Sequence, residues 1–310
     1  MGVRKTSSSE RPSVPAPLGE VQQVGERTWA YLQLPGTWFL NNAGIIGGPR
    51  PVLVDTCATD RRTRHLLDSA AGLVGSLTAC ISTHFHADHT FGHHLLPQGL
   101  PIWAAESARD DAAATGIQHY EGVFDQPEWG AQTLRLATDV VGNSPVKIGA
   151  VHAVRHRGVG HTAGDVVAWV PDDGVLFTGD LIFAGVAPLG FHASFAGWRT
   201  ALEWLRTFDA DVVVPGHGPV VAPASAIADV DEYLALIIDT AQVALDRGLA
   251  LLDAADRLAD NRFATWGNAR ERSVINLAIA IAELRGEPIA LEDAIGPALE
   301  DAGGPFECEA

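Results

Sequence analysis

The residues able to do chemistry are concentrated in one run, Thr83-His84-Phe85-His86-Ala87-Asp88-His89, which puts four metal-binding side chains within six positions. Three more ligand-type residues follow, each in a glycine-rich turn: His161 in Gly160-His161-Thr162-Ala163-Gly164-Asp165, Asp180 in Phe177-Thr178-Gly179-Asp180, and His217 in Pro215-Gly216-His217-Gly218. Five imidazoles and two carboxylates suffice for two divalent metals with coordination positions left open. Imidazole suits zinc, and a carboxylate can bridge two metals or complete a shell. Two such metals about 3.5–4 Å apart clamp a water, lower its pKa towards about 7 and polarise an attacked carbonyl. Such chemistry requires no serine or cysteine nucleophile.

The elements around these residues read as a scaffold for them. Residues 77–83 form a buried strand, so His84 and His86 point the same way, as i and i+2 do on an extended chain. Asp88 and His89 follow where the chain turns into a helix, which lets one loop serve two neighbouring metals. Extended runs over 146–154, 175–178 and 211–215 lead to His161, Asp180 and His217. Loops at strand ends are where catalytic groups are usually carried. Upstream, 28–34 and 38–46 read as paired strands joined by Pro35-Gly36-Thr37, with an apolar tip exposed by its position. Val52 to Thr56 is a third, buried strand. Asp60 to Val74 has helical spacing, with Leu66, Leu67, Ala70 and Leu73 inward and Arg61, Arg62 and Arg64 outward. After Pro223 the pattern becomes helical over 224–247, 250–260 and 269–285, with Gly248 and Gly286 as stops and one more short helix near 291–294.

Composition limits the class of protein. The 310 residues carry a net charge of −17, which argues against nucleic acid, whose binders need basic surfaces. Three cysteines make no disulfide framework: Cys57 and Cys80 read as packed side chains and Cys308 lies in the tail, a usage that suits the cytoplasm. Residues 1–18 have no apolar signal core and read as a disordered arm, and no apolar run approaches the ~20 residues that cross a bilayer. His65, His119, His152 and His156 are expected to have no metal role, and His93 and His94 to lie in core or surface.

With all these elements in order, the region from about Val21 to Val221 resembles the metallo-β-lactamase superfamily of hydrolases. The resemblance implies an α/β fold, the αββα sandwich, over 19–222; with no Pro/Gly linker after it, 223–310 reads as a helical extension packed on the same domain. That extension is available to roof the pocket or to pair two chains as a homodimer. It further implies His84, His86 and His161 at one zinc, Asp88, His89 and His217 at a second, and Asp180 bridging both. Asp88 would also hold or shuttle the proton of the nucleophile. Asp55, Thr83 and Asp165 are expected to orient the imidazoles, with a turn or strand-end hydrogen bond the equal alternative for Asp55 and Asp165. Asp180 stands where several true β-lactamases have cysteine, which resembles thioester- and lactone-cleaving branches such as glyoxalase II.

Aromatic residues in three segments point to a bulky flat substrate: Trp38 and Phe39, the 117–129 stretch with Tyr120, Phe124 and Trp129, and the loop after Asp180 with Phe183, Phe191 and His192. Trp198 and Trp204 read as core. The segments 34–45, 52–56, 176–180, 215–220 and 276–286 further resemble the cyclase/thioesterase proteins of aromatic polyketide pathways in actinomycetes, the actinorhodin-pathway type. That resemblance implies a small-molecule aromatic or acyl substrate presented on an acyl carrier protein, ring closure and thioester hydrolysis. The competing expectations are a general lactone or glutathione-type thioester hydrolase and a mono-iron sulfur dioxygenase.

Overall fold

A computed structural model describes residues 16–310, so most of the expected arm 1–18 lies outside the described residues. Short strands build the first sheet, apolar and buried at its centre and polar at its edges. β1 (Glu20–Gln23), β2 (Thr28–Leu32), β3 (Ala43–Ile46) and β4 (Val52–Val54) pair antiparallel in sequence order. β5 (Ala79–Ile81), β6 (Ile102–Ala104) and β7 (Asp139–Val140) then add in parallel. Parallel pairing needs crossovers, which α1 (Asp60–Val74), the short α2 (Ala87–Thr90) and α3 (Glu106–Thr115) supply. α1 starts where Thr59 caps the amide of Arg62 and stops at Gly75.

The second sheet has β8 (Val146–Ile148), β9 (Val151–Arg155), β10 (Val166–Val170), β11 (Val175–Phe177) and β12 (Val212–Val214), in the order β12-β11-β10-β9-β8. The last two are parallel, with α4 (Phe195–Leu205) crossing between them. The sheets bury their inner faces on each other through Val54, Ile81, Phe177 and Val214. Gly44 of β3 lies against the Phe177 ring, where a Cβ would collide. Leu66 and Ala70 of α1 cover the outer face of the first sheet with Ile45, Leu53 and Cys80. Trp198 and Leu202 of α4 cover the second, next to Leu176 and Val213. This is the αββα sandwich.

Beyond it come α5 (Pro223–Arg247), α6 (Leu251–Asp256), α7 (Ala269–Arg285) and α8 (Leu291–Ala302), the last longer than the short helix expected. Gly248 and Gly286 end α5 and α7 in the left-handed region. α7 packs between α5 and α8 and is buried on most sides. One apolar cluster runs from Trp38 and Phe183 through Tyr233 of α5 to Ile275 of α7 and Ile295 of α8, so the helices and the sandwich share a core.

Several local expectations are corrected. The expected hairpin over 28–46 is paired only to Tyr31 and from Ala43. Residues 33–42 leave the sheet because side chains take over the hydrogen bonding: Gln33 Nε2 donates to the Asn41 carbonyl and Asn41 Nδ2 to that of Thr56. Its tip is not exposed as a whole: Trp38 and Phe39 are buried and Leu34 stays outside. The run 146–154 is a hairpin broken at Gly149, not one strand. Leu73 faces solvent, and Trp204 is half-buried. Arg62 points inward. It is buried because four acceptors meet it: Gln33 Oε1 and the carbonyls of Ala16, Pro17 and Glu309. An arginine is assigned outward by default since an unpaired buried charge is costly; those acceptors come from both ends of the chain, which periodicity cannot reveal.

Candidate metal centre

The sheets place all seven ligand residues at one edge. β5 runs into His84, and the chain turns at His86, which precedes the first turn of α2 carrying Asp88 and His89. His161 lies in the β9–β10 turn, Asp180 just past β11 and His217 just past β12. In the first group, His86 Nδ1 is 3.1 Å from His84 Nε2 and 2.9 Å from His161 Nε2. Asp180 Oδ2 lies 3.9 Å from His84 Nε2 and 3.5 Å from His161 Nε2. In the second group, Asp88 Oδ2 is 3.1 Å from His217 Nε2 and 3.9 Å from His89 Nε2. Asp180 reaches this group too, with Oδ1 3.1 Å from His89 Nε2 and Oδ2 3.5 Å from His217 Nε2.

These separations fit divalent cations. Ligand atoms about 2.0–2.1 Å from a tetrahedral zinc stand roughly 3.3 Å from one another, the middle of the range found here. Protons could link the first three ring nitrogens only if His86 Nδ1 shared one lone pair between two donors or one proton between two acceptors; a cation between them engages every lone pair. In the second group His89 Nε2 and Asp180 Oδ1 are buried and, although 3.1 Å apart, are not aligned as a hydrogen bond and have no other partner, as two atoms facing a metal would be.

Further residues orient the ligands. Asp55, in the left-handed region with φ 59° just past β4, accepts from the Thr83 amide and hydroxyl, both at 2.7 Å, and from His89 Nδ1 at 2.8 Å. That fixes the ring so that Nε2 faces the centre. With its proton given to Asp55, the Thr83 hydroxyl accepts from His84 Nδ1 at 3.1 Å. Asp165 takes the other role considered for it: both oxygens accept from Thr162, holding the His161 turn and touching no imidazole.

Two supports were absent from the sequence reading. His217 Nδ1 donates to the Gly36 carbonyl at 2.9 Å, and Asn42 Nδ2 donates to the carbonyls of Pro215 and Gly218 on either side of that histidine. A backbone acceptor carries no residue signature, but the Asn41-Asn42 pair ending an apolar loop was a usable signal. Gly216 lets the chain pass Asp180, since a Cβ there would run into its carboxylate.

Charge follows the same division. Burial and neighbouring imidazoles hold His84 and His86 well below the usual histidine range, and burial takes His161 down to about 4. These three are neutral, as ligands must be. Burial also works against charging His89 and His217, but the carboxylates around them, Asp180 foremost, outweigh it and raise both. Asp88 and Asp180 are lowered despite burial by the same two imidazoles, so both stay ionised.

A cavity opens over the ligands, walled by Trp38, Phe39, Phe124, Phe183, Phe191 and Arg272. Trp38 and Phe183 present ring surface from a largely buried position, Phe183 stacked on His217 at 5.1 Å. Phe191 is half-buried, and His192 lies exposed at the mouth with Nδ1 2.8 Å from His86 Nε2. The other histidines serve elsewhere: His65 bonds the Tyr31 hydroxyl, His93 the Arg135 carbonyl and His94 the Asp60 carboxylate, and His119 stacks on Trp129.

Comparison with known proteins agrees with this geometry. Residues 36–217 match the Metallo-beta-lactamase superfamily, a span that holds every ligand. A hydroxyacylglutathione hydrolase of Brucella anthropi is 29% identical over 251 residues, covering 76% of this chain and 86% of that protein. An atrochrysone carboxyl ACP thioesterase of a Cryptosporiopsis species is 26% identical over 214 residues, covering 66% of this chain and only 58% of that protein. The crystal structure of the DIM-1 metallo-beta-lactamase exposed to ceftazidime superposes with a TM-score of 0.58 at 22% identity, covering 71% of this chain and 97% of that one. No helix among the described residues is long and apolar enough to cross a membrane. Fold, ligand order and matched span together establish that the chain belongs to the metallo-β-lactamase superfamily of hydrolases.

Proposed function

We propose that this chain is a two-zinc hydrolase that cleaves the thioester of a bulky aromatic acyl group carried on an acyl carrier protein, in concert with ring closure of an aromatic polyketide. The observation that carries this reading is the aromatic-walled cavity opening directly onto the metal ligands. Zinc held by the two ligand groups would make hydroxide available at neutral pH and polarise the thioester carbonyl. Asp88, ionised and lining the cavity, would take the proton of the attacking water. Asp55 and Gly36 keep the rings of His89 and His217 turned to the centre. Flat walls around Trp38, Phe183 and Phe191 suit a planar polycyclic acyl group. The ACP thioesterase relative supports a carrier-bound substrate by its name.

A glutathione thioester is the second reading, supported by the name of the Brucella relative. A polar tripeptide would find Arg272 as the one arginine or lysine among the residues lining the cavity.

The test compares thiol release from a naphthoyl thioester of a carrier-arm mimic, from its acetyl counterpart and from lactoylglutathione, in the wild type and in Phe191→Ala, with zinc content measured in parallel. Losing ring contact worth about 2 kcal/mol should lower kcat/KM on the naphthoyl thioester roughly thirtyfold and leave the acetyl thioester nearly unchanged. Preference for lactoylglutathione, or equal losses on both acyl groups, would overturn the aromatic reading. One iron per chain with oxygen uptake would replace it with the dioxygenase expectation.

A further inference from the structure

Arg272 of α7 is 1% exposed, yet it lines the cavity beside the metal ligands. Its guanidinium lies over the Trp38 ring at 4.5 Å and 5.6 Å from that of Phe183. Nη1 donates to the Ala187 carbonyl at 2.7 Å, and Nε is buried without an acceptor. No carboxylate of a described residue lies within 4.0 Å of its guanidinium nitrogens. The contrast with nearby arginines is sharp: Arg262 is exposed, Arg270 half-buried, and each grips carboxylates, Asp229 and Glu232 in one case, Asp256 and Asp301 in the other. The surface charges of α7 and of the turn before it are therefore paired, and the costly buried one is left without a carboxylate beside the cavity.

Burying an unpaired cation costs several kcal/mol unless something compensates. Trp38 compensates in part through its ring face, and this contact together with the Ala187 hydrogen bond holds the guanidinium in place. A fixed planar fork with free donors matches an anionic oxygen or a pair of them. Burial lowers the group to about 10, with Asp180, Glu271 and Asp88 opposing, so it remains charged at neutral pH.

We propose that Arg272 is the recognition residue for an anionic oxygen on the substrate's acyl group, a carboxylate or the enolate of a 1,3-dicarbonyl. The proposal rests on the reading of the cavity as an acyl-thioester site. Both sources offer the same chemistry. A carboxylate is ionised at neutral pH, and a 1,3-dicarbonyl that loses a proton from the carbon between its carbonyls spreads the negative charge over both oxygens. Arg272 then holds the acyl group by its charged end while the rings hold its flat face, so that the thioester carbonyl meets the metal centre in one orientation.

The test uses the full metal-loaded chain, Arg272→Met, which keeps bulk without charge, and Arg272→Lys, which keeps charge without the fork. Three naphthyl thioesters are compared: a naphthoyl thioester with a ring carboxylate, a naphthoylacetyl thioester, whose CH2 lies between ketone and thioester carbonyls, and a naphthoyl thioester with a ring methyl ester as the neutral control. Separately, Trp fluorescence gives the dissociation constants of 2-naphthoate and 2-naphthamide. In Arg272→Met, kcat/KM should fall about ten- to a hundredfold on whichever anionic substrate is native-like and no more than about threefold on the methyl ester. The ratio of naphthoate to naphthamide affinity should fall with it, and Arg272→Lys should restore part of both. A loss confined to the carboxylate arm identifies that source, and one confined to the β-ketone arm identifies the enolate. Equal losses on all three substrates, or an acid-to-amide ratio unchanged in both variants, would overturn the proposal. If the wild type hydrolyses none of the thioesters but prefers naphthoate through Arg272, the thioester reading fails and the anion site stands.

Discussion

Gly216 isolates the contribution of Asp180. The residue is outside the left-handed region, so alanine can adopt its backbone conformation. The obstacle is what lies beside it. A Cβ would fall inside the van der Waals shell of Asp180 Oδ1, 2.8 Å from the Gly179 carbonyl carbon and 2.9 Å from the Asp180 amide nitrogen. Ordinary carbon–oxygen contacts are about 3.3 Å or longer, so the carboxylate and its turn must retreat by about 1 Å. Ligand constellations tolerate about 0.5 Å, and a misplacement of about 1 Å costs on the order of 10²-fold in rate, or about 2.7 kcal/mol. In Gly216→Ala, kcat/KM on an aromatic thioester at saturating metal should therefore fall about a hundredfold, and metal should leave more readily against a graded series of chelators. The chelated protein should lose about 1–3 kcal/mol from overpacking, read from urea unfolding. Gly72→Ala, which meets nothing within 4 Å, serves as the control and should do neither. A Gly216→Ala protein with wild-type turnover and metal retention would show that Asp180 is not held where the two ligand groups meet.

Asp88→Asn keeps shape and loses the proton acceptor, so kcat should drop about 10²–10⁴-fold while urea unfolding of the chelated protein still shows a folded chain; full turnover in a metallated variant would remove Asp88 from the chemistry. Arg62→Met strands four acceptors from both ends of the described chain and should cost about 3 kcal/mol in urea unfolding; a change below about 0.5 kcal/mol would mean the knot is incidental. Burial lowers His93 to about 4, so the unfolded chain takes up its proton near pH 6.5 while the folded one refuses it. Stability from this group is present above about pH 6.5 and declines by up to about 3 kcal/mol as pH falls towards 4. His93→Gln should flatten that decline in urea midpoints measured across the window, and an unchanged slope would refute the assignment.

The metal centre was legible because its parts are side chains whose types carry the chemistry, and because extended runs lead to each of them. His84 and His86 follow from strand periodicity; Asp88 and His89 follow from the turn into α2. What stayed illegible acts through the backbone or across long separations. The Gly36 carbonyl that orients His217 has no residue identity, and Arg62 is inward only because residues 16, 17, 33 and 309 converge on it. Trp38 was singled out as exposed, but Phe124, Phe306 and Arg272 bury all but its cavity-facing surface, and those partners lie up to 268 residues along the chain (306 − 38). Asp165 looked like an imidazole partner because acids beside histidines often are. The Thr162 amide and hydroxyl, three residues away, claim it first.

The division of the chain into ligands and walls has an evolutionary consequence. Every ligand lies between His84 and His217, inside the stretch shared with the superfamily, whereas Arg272, Leu291 and the Phe306 ring stacked on Trp38 come from beyond it. The ligands are thus written wholly inside the shared stretch, while the cavity wall is written partly there, at Trp38, Phe183 and Phe191, and partly beyond it. Mutations in the later stretch can alter which molecules are accepted without trespassing on the machinery that breaks the bond. A lineage could exchange one helical extension for another and inherit a working hydrolase with new tastes, and a protein engineer could do the same by grafting at the boundary near Pro223.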